Sequence, residues 1–193
     1  MNICVYTSSS DGLDKVFYDE AENLARIFLK EKFKLIYGGA KVGMMGRMAK
    51  IIMGNAGKVI GVIPELIFNH NIGEESIELI VTEDMKSRKA KMAELSDAFI
   101  ALPGGFGTLE ELAEILTLKQ LQYHQKPIVI INTSGFYNKL LEFFEVFFTN
   151  NFAKSDYKKL YYVARNSDEA IEYIKTYQPP AIESKWFKAN LNL

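Results

Sequence analysis

Short β-branched runs alternate with longer helical patterns along this chain, and the loops that follow several of those runs are rich in glycine or serine. Together these features predict an α/β fold, a doubly wound and mainly parallel sheet of about seven strands with helices on both faces. The strands are expected at Ile3–Tyr6, Leu35–Tyr37, Val59–Ile63, Glu78–Val81, Ala98–Leu102, Ile128–Ile131 and Tyr161–Val163. Between the first two, Phe17, Ala21, Leu24, Ala25 and Phe28 recur at helical spacing. Met44, Met48, Ile51 and Ile52 mark a second helix, and Leu109, Leu112, Ala113 and Leu116 a later one. The stretch Tyr137–Phe148 carries Phe143, Phe144, Phe147 and Phe148, so it reads as a helix apolar on more than one face. Such a helix is either deeply buried or shared with an oligomer interface. After Tyr177 the pattern breaks at Pro179-Pro180 and ends with Trp186-Phe187, which reads as an irregular strap. No repeat or linker divides residues 1–193, so one domain is expected. The architecture is Rossmann-like, and ligands of such sheets sit outside the C-terminal strand ends.

Composition narrows the partners. Apolar residues make up 48% and charged residues 24% of 193 positions, with a net charge of −1. That balance suits a globular protein and argues against a nucleic-acid partner. Cys4 is the only cysteine, which excludes an internal disulfide and a Cys-based zinc site, and His70 and His124 lie far apart. No metal or other cofactor is expected. The N-terminus runs directly into a strand with no signal-peptide pattern, and no apolar run reaches membrane-spanning length. A cytoplasmic location without membrane contact follows as the expectation.

Three loops after expected strands carry the chemistry. Thr7-Ser8-Ser9-Ser10 follows the first strand and is not G-x-G-x-x-G, which argues against a dinucleotide-binding dehydrogenase. Its hydroxyls suit phosphate or ribose, and equally the cap of the next helix. Gly38-Gly39-Ala40-Lys41-Val42-Gly43-Met44-Met45-Gly46 follows the second. Glycines there admit positive φ and close approach of a ligand to backbone, or simply a tight turn. The third loop is Leu102-Pro103-Gly104-Gly105-Phe106-Gly107-Thr108-Leu109-Glu110-Glu111. A buried strand ends at Leu102 and a helix starts near Thr108, so free N–H groups and the positive helix end face the crevice, where a phosphate binds. Thr108-Leu109-Glu110-Glu111 also fits a capping box, with Thr108 as N-cap and Glu111 reaching back to its amide. Upstream, Met85, Arg88, Met92 and Leu95 share one helical face. Arg88 therefore points inward, where its guanidinium needs an anion, from a structural carboxylate or from substrate.

Arg88-Lys89 together with Pro103-Gly-Gly-Phe-Gly-Thr-Leu-Glu-Glu111 resembles the LONELY GUY (LOG) family of cytokinin-activating nucleoside 5′-monophosphate phosphoribohydrolases, often mislabelled lysine decarboxylases. The family signatures are Met-His-x-Arg-Lys, which stands here as Met85-Lys86-Ser87-Arg88-Lys89, and Pro-Gly-Gly-x-Gly-Thr-x-x-Glu, which is intact. Gly38-Gly39, Gly43-Met44-Met45-Gly46, Ala113–Thr117 and His124-Gln125-Lys126-Pro127 match as well, and the resemblance runs from Ile3 to about Trp186.

The resemblance implies that Arg88 and Glu111 are the catalytic pair. It further implies that Lys89, Gly105, Phe106, Gly107, Thr108 and Thr117 line the nucleotide site; Ser8, Ser9, Gly39, His70, Met85 and Gly104 join them as substrate-binding candidates, and no metal is required. Two departures stand out. The family's usual Cys-Gly-Ser-Ser is Thr7-Ser8-Ser9-Ser10 here, and His70 occupies the position of a substrate-contacting glutamate, which is missing or moved to Glu74 or Glu75. The implied reaction is hydrolysis of the N-glycosidic bond of AMP or an N6-substituted AMP, by a homodimer, to free base and ribose 5-phosphate. A non-catalytic nucleotide-binding or cofactor-carrier protein on the same fold is the alternative.

Overall fold

The computed structural model describes residues 1–70, 72–73 and 78–182. Seven strands form one sheet in which every pairing is parallel: β1 (Asn2–Tyr6), β2 (Lys34–Tyr37), β3 (Lys58–Pro64), β4 (Glu78–Thr82), β5 (Ala98–Ala101), β6 (Ile128–Ile131) and β7 (Tyr162–Ala164). Their order is β4-β3-β2-β1-β5-β6-β7. The chain winds outward from β1 to β4, then returns to the other side of β1 with β5. The topological switch point therefore lies between β1 and β5, and it opens a crevice at their C-terminal ends.

Strand periodicity of two divides the core. Ile3, Val5, Leu35, Tyr37, Ile100 and Val129 face the helices α1 (Lys15–Glu31), α2 (Gly43–Gly54) and α7 (Ser167–Thr176). Cys4, Tyr6, Ile36, Val62, Phe99 and Ile130 face Met92 of α4 (Met85–Leu95) and Leu112 and Ile115 of α5 (Phe106–Gln120). In α1 the residues Ala21, Leu24, Ala25 and Phe28 form the buried stripe, as their spacing requires. The short α3 (Glu65–Phe68) and α7 have no counterpart among the expected helices. In α7 the Asn166 side chain caps the Glu169 amide, a start signal that the sequence displays openly.

Of the two readings open for the aromatic helix, deep burial is the one that fails. The aromatic helix α6 (Asn138–Thr149) is not deeply buried, for none of its residues falls in the buried class. Phe143 is 55% exposed, while Phe144, Phe147 and Phe148 line an apolar groove of about 170 Å³ with Ala113, Leu116 and Thr117 of α5. The four Phe fall within six residues and share one stripe, and Phe143 at its edge stays outside the groove. The strap is irregular from Tyr177 to Ile182. Trp186-Phe187 lies outside the described residues.

Candidate active site

Three strand ends build the crevice, a cavity of about 500 Å³. Thr7, Ser8, Ser9 and Ser10 come from the end of β1, Gly38 and Ala40 from the end of β2, and Gly105 to Thr108 from the N-cap and first residues of α5, just after β5. The first and third loops are tied together: Thr7 Oγ1 donates to the Pro103 carbonyl at 3.4 Å, and the Leu102 amide donates to the Tyr6 carbonyl at 2.9 Å. Tyr137 on the far side donates its hydroxyl to the Leu102 carbonyl at 2.7 Å.

Arg88 and Glu111 meet at the floor. Arg88 Nη1 donates to Glu111 Oε1 at 2.7 Å, and Arg88 Nε donates to the Val62 carbonyl at 3.0 Å. Arg88 is 7% and Glu111 8% exposed, yet both border the crevice. The guanidinium is thus clamped between the end of β3 and α5, and among the described residues only Oε1 of the carboxylate is engaged. Oε2 is left for substrate or water. Burial pushes the Glu111 carboxyl above the ordinary carboxylate range, and the charge of Arg88 opposes that push. The carboxylate thus keeps one oxygen without a side-chain partner beside a fixed guanidinium, in a partly dry place.

The third loop departs from the capping-box expectation. The helix α5 begins at Phe106 with Gly105 as N-cap, two residues earlier than the Thr108 start, and no side chain caps it. Glu111 therefore lies too far along the helix to serve as a cap, and its partner is Arg88. Glycine at the N-cap brings no side-chain acceptor, so no side chain covers the first N–H groups of α5, at the lip of the crevice. Free N–H groups and the positive end of the helix dipole suit an anion there. Phe106, 92% exposed, stands at its edge.

The remaining sequence-derived candidates fall into two groups. Ser8, Ser9, Met85, Gly105, Phe106, Gly107 and Thr108 all border the crevice with Arg88 and Glu111. Lys89, Gly39, Gly104, His70 and Thr117 do not. Lys89 binds Glu110 and, at 2.7 Å, Glu114. Successive helix residues point about 100° apart, so Arg88 and Lys89 cannot share one target. Thr117 lies about 9 Å further along α5 than Glu111 on another face, where its hydroxyl donates to the Ala113 carbonyl and it borders the groove against α6. His70 is exposed on the turn after α3, and its neighbours Ile67 and Ile72 line the crevice instead. Glu74 and Glu75 lie outside the described residues. Gly104 sits behind the wall, where a Cβ would fall 2.1 Å from Thr108 Oγ1.

Gly38 was the residue that sequence reasoning passed over in favour of its neighbour. A Cβ on Gly38 would lie 2.2 Å from Arg88 Nη2, so this backbone is the seat of the guanidinium. Gly39 turns away, with φ of +75° and its open side 3.1 Å from Ile63 and Leu79. The two positions separate function from folding. Gly38→Ala should displace Arg88 and lower kcat at least tenfold. Gly39→Val should lower the melting temperature through backbone strain, at roughly 1–3 kcal/mol. Steady-state kinetics beside thermal denaturation of both variants checks the assignment, and a fully active Gly38→Ala contradicts it.

A family model described as "Possible lysine decarboxylase" matches residues 45–174. Cytokinin riboside 5′-monophosphate phosphoribohydrolase LOG5 of Arabidopsis thaliana is 38% identical over 178 residues, which covers 92% of this chain and 78% of the relative. Probable cytokinin riboside 5′-monophosphate phosphoribohydrolase LOGL2 of Oryza sativa subsp. japonica is 39% identical over 178 residues, covering 92% and 73%. Among solved structures, the molybdenum cofactor binding protein from Rippkaea orientalis superposes with a TM-score of 0.68 at 24% identity over 91% of this chain and 95% of that one. The molybdenum cofactor carrier protein of Chlamydomonas reinhardtii gives 0.66 at 22% over 90% and 95%. At these identities the two structures share the fold.

Proposed function

The chain belongs to the LONELY GUY family of phosphoribohydrolases, and on that premise we propose that it hydrolyses the N-glycosidic bond of AMP or an N6-substituted AMP to free base and ribose 5-phosphate. The observation that carries the reading is the buried Arg88–Glu111 pair at the floor of a crevice whose lip is an uncapped helix start. The 5′-phosphate sits on the amides of Gly105 to Thr108, and that binding energy holds C1′ against the carboxylate. As the C–N bond breaks, its electrons pass to the base and positive charge develops on C1′. Glu111 Oε2 faces that charge and takes a proton from the attacking water, whose oxygen bonds to C1′, and that proton then passes to the departing base, which leaves neutral as the carboxylate is restored. Arg88 keeps Glu111 ionised and aimed.

Two other readings fare worse. A nucleotide carrier needs the helix start but gains nothing from a carboxylate buried beside the ligand. A lysine decarboxylase needs a lysine beside its substrate to bond a carbonyl cofactor, and among the described residues none lines the crevice. The reading as one domain fits the single sheet, whose strands are drawn from both ends of the chain. We propose a homodimer whose seam runs over the aromatic face of α6 with its groove against α5, which would cover the exposed Phe143 and Val146. Among the described residues no helix is long and apolar enough to cross a membrane.

The phosphate handle is testable by comparing AMP with adenosine. The kcat/KM for AMP should exceed that for adenosine at least a hundredfold, read as free adenine by chromatography. Equal cleavage of the two would remove the phosphate from the account.

A further inference from the structure

A second cavity, of about 610 Å³, opens on the other side of the α2 N-terminus from the crevice. Val42 and Met45 face the crevice, while Gly43 and Arg47 border this cleft. Its lining holds four cations, Arg26, Lys41, Arg47 and Lys50, against two carboxylates, Asp11 and Glu22. Both carboxylates are already committed. Glu22 bridges Arg47, at 2.6 Å, and Arg26, at 2.9 Å, and Asp11 Oδ1 accepts from the Gly43 amide at 3.2 Å. Among the described residues neither Lys41 nor Lys50 is paired with a carboxylate. The Arg47 guanidinium also lies 5.0 Å from the centre of the Tyr18 ring, so its position is fixed from two sides.

Fixed arginines beside unpaired lysines in a concave place form an anion receptor, because charges of one sign in a cleft reinforce one another. The size argues for more than one phosphate. From the start of α2 at Gly43 to Lys50 the helix advances about 10 Å, and Lys41 precedes it. A single phosphate cannot touch both ends of such a row, whereas two linked phosphoryl groups reach further along it. We propose that this cleft is a second anion site, distinct from the crevice, that takes a diphosphate group, either free or as the end of a nucleotide. The site has a mechanical neighbour. Gly43, at φ of +63°, is wedged so that a Cβ would lie 2.4 Å from the Ser9 carbonyl carbon, and Ser9 borders the crevice.

Isothermal titration of inorganic diphosphate, ADP and inorganic phosphate into the wild type and the Lys41→Gln/Lys50→Gln double variant tests the assignment. Both lysines are exposed, so the double variant should melt as the wild type does and turn over AMP as before when no diphosphate is present. Diphosphate should bind the wild type at least tenfold tighter than phosphate does, and lose at least tenfold in the double variant. A larger loss for ADP than for diphosphate makes the occupant a nucleotide, and equal losses make it free diphosphate. Wild-type affinity for both ligands in the double variant overturns the proposal and moves the anion to the crevice. So does loss of diphosphate binding in Thr108→Val, which alters only the crevice.

Discussion

Glu111→Gln should cut AMP turnover by about 10²–10⁴, the range for a positioned acid or base. Glutamine can still accept from Arg88 Nη1, but it carries no charge to oppose a forming cation at C1′ and takes no proton from water. Because Glu111 is paired with a buried guanidinium rather than capping a helix, the variant should also lose stability. The loss should stay below the roughly 3–5 kcal/mol of breaking a buried pair outright, since one hydrogen bond survives. Kinetics should therefore be read well below the variant's melting temperature. Glu110→Gln is the control, as Glu110 binds Lys89 on the exposed side of α5 and should lose little. A Glu111→Gln protein with parental turnover would end the mechanism.

Arg88→Ala should abolish turnover by a different route. With Val62, Gly38 and Glu111 all facing the vacated space, the carboxylate loses both its aim and its counter-charge. Burial already raises the Glu111 carboxyl and Arg88 holds it down, so removal of Arg88 raises it further. The sign of the pH effect follows. Glu111 acts when ionised, so kcat/KM of the wild type should fall on the acid side at a pH above the ordinary carboxylate value of 4.5. In Arg88→Ala any residual activity should fall at a still higher pH. Arg88→Lys restores charge without the forked geometry, and it should recover the acid limb better than it recovers kcat. An acid limb that stays in place in Arg88→Ala would detach Glu111 from the profile.

Much of this was legible in the chain. The strands matched to within a residue or so at their ends, because buried parallel strands are short β-branched runs flanked by glycine and charge. Arg88 was legible too, since its helical face is shared with Met92 and an inward guanidinium requires a counter-ion. Its partner Glu111 was legible through the motif that pairs the two, while the local letters left a second reading open. Thr108 to Glu111 spells a capping box, yet Gly105 can start the helix without a side-chain cap, which leaves the amides open for a ligand. Lys89 and Thr117 entered the candidate list by motif membership, and helix rotation removes both from the crevice. The Val62 carbonyl that seats Arg88 has no signature at all, because backbone acceptors depend on sheet order and not on residue type. The exposed α6 aromatics were hidden for a related reason: periodicity shows that a face is apolar and is silent about what covers it.

The most direct test of the account is incubation of the purified protein with AMP, followed by quantification of adenine and ribose 5-phosphate. Both products are expected in equal amounts, at a rate proportional to enzyme and reduced at least a hundredfold in Glu111→Gln. Tight, saturable AMP binding with no adenine released, from wild type and variant alike, would contradict it.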